Sequence, residues 1–395
     1  MPRFDAQYFD EIIPRAHMPS SKWHKGYLKD LFLSEDVLPF WIADMDFRSP
    51  PSMLNAIKER ADYGILAYEY TSDSYYEALI SWIGRRQGYQ LSRAEIMNAP
   101  SIATSTGLVI EAFTEKGDGI IIQPPVFMEY RNWITSSGRR PVKNTLKEHD
   151  GEYSLDLEDL ESKAADPANK ILLICNPQNP LGRTWSEEEL KAILEICIKH
   201  DVLCVSDEVH ADIIYSGHRF TSILCIEGYE DLSVVLYSGV KTFNLGGFGD
   251  SHIFCRDEVL RSKIAMRAKS LSLGKTNGIV RAALEAAFNG ADDWLDGLLL
   301  YFENNWKSID QGLEGSKIRF RKPDASYQLW LDFRDFELDA KELHRSLCLD
   351  AGIGLNAGYW FGREGAGFAR MNIASPLSVI DEGVSKLKDW AQKKG

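Results

Sequence analysis

Lys241 is placed where a lysine is costly. It stands in Tyr237-Ser238-Gly239-Val240-Lys241-Thr242-Phe243-Asn244, directly after the apolar run Ser233-Val234-Val235-Leu236. An ammonium at the mouth of a buried strand loses hydration. Such a lysine snorkels to solvent, pairs with an anion, or serves as an amine nucleophile whose pKa falls on burial.

Four other stretches carry residue types with chemical uses. Cys175-Asn176-Pro177-Gln178-Asn179-Pro180-Leu181-Gly182 follows a second apolar run. Its prolines and glycine describe a turn, while the carboxamide of Asn179 can also donate to a ligand oxygen. Ser206-Asp207-Glu208-Val209-His210 follows a third run. There Asp207 can cap a helix, bind a metal or hold a ring nitrogen protonated, and His210 can donate to an oxygen. Phe127, in Pro124-Pro125-Val126-Phe127, can pack in the core or lie flat on an aromatic ring. Arg370 interrupts the alternating stretch Gly367-Phe368-Ala369-Arg370-Met371-Asn372 and suits either a surface ion pair or a carboxylate clamp. Ser101, Ile102 and Ala103 precede a helical stretch, whose start can simply be capped or can bind an anion. Ser238 can supply a further hydroxyl to the same anion.

The elements that must position these residues read as follows. Candidate strands are 119–122, 171–175, 202–206, 234–237 and 252–255. Candidate helices are 52–62, 73–87, 104–116, 186–200 and 257–272, the fourth opening on the capping box Ser186-Glu187-Glu188-Glu189. Strand–helix alternation predicts a mainly parallel sheet covered on both faces. Ligands of such sheets bind beyond the carboxyl ends of the strands, where most of the polar motifs fall. The last part reads as a smaller α+β domain, with helices near 292–314, 339–350 and 377–393 around a strand at 327–333. The expected division is an N-terminal arm and part of the small domain at 1–48, a large domain at 49–285, and a small C-terminal domain at 286–395.

Composition narrows the partners. The 395 residues are 44% hydrophobic with a net charge of −13, so neither nucleic acid nor an anionic membrane attracts this surface. The six cysteines show no CxxC spacing, which predicts a reducing, cytoplasmic setting without a structural zinc. The opening Met1-Pro2-Arg3-Phe4-Asp5 is no signal peptide, and no apolar run has membrane-span length.

Together the motifs supply an amine, a pyridinium partner, oxygen donors, a stacking ring, an anion cradle and a carboxylate clamp. Pyridoxal 5′-phosphate requires this inventory. The order NP-x-NP-x-G, S-D-E-x-H, S-x-x-K resembles the fold type I (aspartate-aminotransferase-like) enzymes that use this cofactor. Leu38-Pro39-Phe40-Trp41-Ile42-Ala43-Asp44-Met45-Asp46-Phe47, Lys241-Thr242-Phe243-Asn244 and Gly367-Phe368-Ala369-Arg370-Met371-Asn372 resemble the cystathionine β-lyase or C–S lyase branch of the class I/II aminotransferase relatives.

The resemblance implies a seven-stranded-type large-domain sheet with a smaller α+β domain. It also implies roles. Lys241 carries the Schiff base and moves the proton; Asp207 pairs with the pyridinium nitrogen; Asn179 and His210 bond the ring hydroxyl oxygen. Phe127 stacks on the ring, while Ser101, Ile102, Ala103 and Ser238 line the phosphate pocket. Arg370 binds the substrate carboxylate, and Tyr68 reaches the neighbouring subunit's phosphate site in a homodimer with shared active sites. The implied reaction is β-elimination from cystathionine or another cysteine S-conjugate, with an aminotransferase as the alternative and a PLP-binding protein without turnover as a third reading. Val240, Phe127 and Ala67 depart from the serine, tyrosine and glycine usual at their positions. Gly249 stands where aminotransferases carry a phosphate-binding arginine, which favours the lyase. Trp23, Tyr359 and Trp360 are candidates for the outer substrate pocket, or for core and interface packing.

Overall fold

A computed structural model describes residues 4–15, 18–229, 231–273 and 277–395. The apolar runs form the interior of a seven-stranded sheet. Its order is Ile96–Ala99, Ser251–Phe254, Ser233–Tyr237, Leu203–Asp207, Asn169–Cys175, Gly119–Ile122, Arg140–Lys143. Ser251–Phe254 runs antiparallel to both neighbours, and the remaining pairings are parallel. The central strands are buried on both faces, as continuous apolar runs require. Two strands escape the sequence reading because both are sheet edges. Arg140–Lys143 is half-exposed, and Ile96–Ala99 is short and mixed in character.

Helices cover the sheet at the expected places: Pro51–Tyr63, Asp73–Gln87, Ile102–Phe113, Glu187–Lys199 and Glu258–Ser270. The capping box forms, with Ser186 Oγ accepting from the Glu189 N–H at 3.2 Å and Glu189 Oε2 accepting from the Ser186 N–H at 2.9 Å. An unforeseen helix, Gly278–Gly290, packs on Pro51–Tyr63 and Asp73–Gln87 and runs through residue 285 without a break.

A second, four-stranded antiparallel sheet has the order Arg319–Phe320, Gln328–Asp332, Phe368–Asn372, Asn356–Ala357. Around it lie the helices Asp292–Gly312, Ala340–Leu349 and Leu377–Lys394. Leu38–Pro39 pairs in parallel with Ile353–Gly354, which attaches the N-terminal segment to this part of the chain.

The stretch that follows, Trp41 to Phe47, has little regular structure and is held by side chains instead. Asp46 accepts from Lys22 at 2.6 Å, Ser375 at 2.6 Å and Arg15 at 2.8 Å. Lys22 is fully buried, and Asp46 is its ion-pair partner. Asn372 Nδ2 donates to the Ile42 and Asp44 carbonyls, and Asn244 Nδ2 to those of Met45 and Phe47. Asn244 has φ 54°, a conformation asparagine tolerates better than most residues. Two carboxamides thus satisfy an irregular backbone that would otherwise be buried without partners.

Candidate active site

The carboxyl ends of the central strands converge on a cavity of about 250 Å³. Lys241 reaches it from the turn after Ser233–Tyr237, Asp207 ends Leu203–Asp207, Asn179 follows Asn169–Cys175, and Phe127 follows Gly119–Ile122. Residues about 115 positions apart meet here because parallel strands bring their ends to one side.

Lys241 Nζ donates to the Ala43 carbonyl at 2.6 Å, and the Tyr327 hydroxyl donates to the same oxygen at 3.2 Å. Burial, followed by the nearby positive charge of Arg370, lowers the Lys241 pKa to about 8. A substantial fraction of the amine is therefore neutral near physiological pH. Burial also raises the Tyr327 pKa, so its hydroxyl keeps its proton.

Asp207 is buried. Its Oδ2 accepts from the Tyr130 hydroxyl at 2.7 Å and its Oδ1 from the Val209 N–H at 3.2 Å. Burial pushes its pKa up to about 6 against the opposing pull of these donors and of Lys241. The carboxylate is charged at neutral pH and has no cation in direct contact among the described residues. His210 is neutral, its pKa pushed down to about 3 by burial and by the charges of Lys241 and Arg370.

Arg370 lies directly behind Asn179. Its Nη1 donates to Asn179 Oδ1 at 3.1 Å, and its Nη2 to the Trp41 carbonyl at 2.7 Å and to Asn356 Oδ1 at 2.8 Å. The guanidinium sits 5.0 Å from the Phe361 ring centroid. Every acceptor is neutral, so burial lowers its pKa to about 10, and Nε has no partner among the described residues. A buried cation held by neutral groups, with one donor left over, is a site that an anion completes.

The opposite end is made differently. Ser101 caps Ile102–Phe113, its Oγ accepting from the Thr104 N–H at 3.1 Å, and the lining continues through Ile102, Ala103, Gly246 and Gly249. A Cβ on Gly249 would stand 2.4 Å from the Pro100 carbonyl oxygen, so no side chain fits there without displacing the backbone. Asp250 also lines the cavity. Burial raises its pKa to about 7, opposed by the charge of Arg281 and by the Tyr75 hydroxyl.

The expected residues Ser101, Ile102, Ala103, Phe127, Asn179, Asp207, His210 and Lys241 all line the cavity. Ser238 does not. Its hydroxyl is spent on the Asp250 carbonyl at 2.7 Å and accepts the Val240 N–H at 3.2 Å, which braces the lysine turn against the neighbouring strand. Tyr68, 97% exposed, is not among the lining residues of its own chain. Arg370, bonded from behind to the lining residue Asn179, also lies outside this lining, as do Trp23, Tyr359 and Trp360. Sequence reasoning missed Tyr130, Tyr327, Asn356 and the Ala43 carbonyl. Asn356 had a signal, since it faces Arg370 in strand register; the tyrosines read as ordinary core aromatics.

Comparison with known proteins agrees with this geometry. Residues 35–387 match the family described as Aminotransferase class I and II. Cystathionine beta-lyase PatB of Bacillus subtilis is 36% identical over 96% of this chain and 98% of its own. Cystalysin from Treponema denticola, whose structure contains pyridoxal 5′-phosphate, superposes with a TM-score of 0.93 at 30% identity, covering 98% of each chain. The PLP-bound C-S lyase from Staphylococcus hominis superposes with a TM-score of 0.89 at 29% identity, covering 97% of each.

Proposed function

This chain belongs to the aminotransferase class I and II family, and we propose that within it the protein is a pyridoxal 5′-phosphate-dependent carbon–sulfur β-lyase. Its substrates are cystathionine or related cysteine S-conjugates. The observation that carries the reading is the buried amine of Lys241 sharing one cavity with the Asp207 carboxylate, with the buried Arg370 guanidinium behind the lining residue Asn179. The names of the relatives and the Gly249 position favour elimination over transamination.

The residues present fit such a cofactor. Among the described residues, Asp207 is a buried carboxylate without a cation in direct contact and Arg370 Nε is a buried donor without an acceptor. Lys241 would hold the aldehyde carbon, Asp207 the ring nitrogen, Asn179 and His210 the ring hydroxyl oxygen, and Phe127 a ring face. Ser101, Ile102 and Ala103 would hold the phosphate. When bound, the cofactor supplies an aldehyde that condenses with amines and a cationic ring that accepts electron density.

The chain's own residues do the rest. Arg370 binds the substrate carboxylate, its plane fixed by Asn179, Asn356 and the Trp41 carbonyl. This orients the Cα–H bond. The freed Lys241 amine, neutral in part because burial lowers its pKa, takes the Cα proton as general base. The Ala43 carbonyl and the Tyr327 hydroxyl fix where that amine rests. Asp207 would stabilise positive charge at the ring nitrogen of such a cofactor. The Cβ–S bond then breaks with both electrons leaving on sulfur. Overall, one conjugate and one water give a thiol, pyruvate and ammonia, with no net oxidation.

The assembly we propose is a homodimer. It is supported by the exposed apolar segment carrying Ile65, Leu66, Tyr68 and Tyr70, which a second copy would cover while taking Tyr68 to its own cavity. Six free cysteines support a reducing, cytoplasmic setting; no helix among the described residues is long and apolar enough to cross a membrane. Incubation of the holoenzyme with cystathionine tests the reaction. Pyruvate and ammonia in equal amounts, with the cofactor unchanged, are expected; conversion of the cofactor to its amine form without pyruvate contradicts the lyase.

A further inference from the structure

Beside the lysine cavity lies a second one of about 510 Å³, and Phe127 belongs to the walls of both. Tyr359 and Trp360 form part of its other side. The Val126 N–H donates to the Phe361 carbonyl at 3.1 Å, which ties the two sides together at the partition. Phe361 itself lies against Arg370, so the second cavity starts where the carboxylate clamp ends.

Its charge is unusual for an acidic chain. Arg131, Lys143 and Arg363 line it, and no aspartate or glutamate does. Lys143 is neutralised by Glu364 at 3.0 Å. Neither Arg131 nor Arg363 forms an ion pair among the described residues. Two guanidinium groups over aromatic walls, outside any ion pair among the described residues and with Glu364 near Arg363 only, suit a ligand with an apolar stem and an anionic end.

We propose that this cavity receives the leaving-group half of the substrate and selects cysteine S-conjugates whose thiol half ends in a carboxylate. The inference rests on the carbon–sulfur lyase reading and specifies its substrate class. Phe127 and Trp360 pack on the methylene stem, and Arg131 and Arg363 take the carboxylate. Both arginines are exposed, so the attraction is modest and salt-screened.

The test uses the holoenzyme and two nearly isosteric compounds, S-(2-carboxyethyl)-L-cysteine and S-propyl-L-cysteine, with pyruvate release as the readout. At low salt, kcat/KM for the acid exceeds that for the propyl compound by about three- to tenfold, and the ratio shrinks at high salt. The double variant Arg131→Gln with Arg363→Gln brings the ratio to about one, while Arg363→Lys keeps most of it. Equal kcat/KM values in the unaltered enzyme overturn the subsite and leave the lyase standing. A preference that survives in the double variant also overturns it. Pyruvate from neither compound overturns the lyase reading and the subsite with it.

Discussion

The two anion sites we propose are built by opposite means. Behind Asn179 a single side chain, Arg370, is fixed by two carboxamides and a carbonyl. At the other, the lining is a helix start, small residues and glycine, with no arginine and with the buried acid Asp250. A clamp made of one long side chain is strong and fragile, since removing the side chain removes the site. A cradle made of backbone N–H groups survives substitution of its side chains and fails when something fills it.

The comparison can be broken in steps. The largest effect belongs to the amine between the two sites: Lys241→Ala lowers pyruvate formation at least about a thousandfold and abolishes the cofactor's bound-state absorption band. Arg370→Leu comes next, with kcat/KM reduced roughly ten- to a hundredfold, mostly through KM, and cofactor affinity nearly unchanged. Gly249→Ala tests the cradle by displacing its backbone; overpacking against Pro100 costs about 1–3 kcal/mol in denaturant unfolding of the cofactor-free protein and weakens cofactor binding. Ser101→Ala removes a cap but no backbone donor, so cofactor Kd, read by fluorescence titration, rises only about two- to tenfold. A larger loss for Ser101→Ala than for Arg370→Leu, each on its own ligand, would reverse the comparison.

Above about pH 7, the value to which burial raises Asp250, and so above the value of about 6 for Asp207, the pH dependence follows the amine. Only neutral Lys241 captures an aldehyde, and its pKa is lowered to about 8. Stopped-flow capture of the cofactor by the cofactor-free protein therefore accelerates about tenfold per pH unit below that value and levels off above it. A midpoint near the ordinary lysine value would show that burial does not act on this amine.

Much of this site was legible because its residues interrupt strong patterns. Lys241, Asp207 and Asn179 are polar groups at the ends of apolar strands, and Arg370 breaks an alternating one. The edge strands Ile96–Ala99 and Arg140–Lys143 were hidden because edges need no apolar run. Ser238 shows the limit of motif reasoning: its place beside the lysine is right, but its hydroxyl is committed to Asp250. Tyr130 and Tyr327 look in sequence like any buried tyrosine, and only the fold shows that their hydroxyls meet Asp207 and the Ala43 carbonyl. The Trp41-to-Phe47 stretch was recognisable as a signature without a reason. The reason is that Asn244 and Asn372 hold its backbone so that the Ala43 carbonyl meets the lysine.

The most direct test of the central claim is borohydride reduction of the holoenzyme followed by peptide mass mapping. Reduction should fix the cofactor covalently on the peptide containing Lys241, at that residue alone. An adduct on another lysine, or none on a protein saturated with cofactor, would contradict the account.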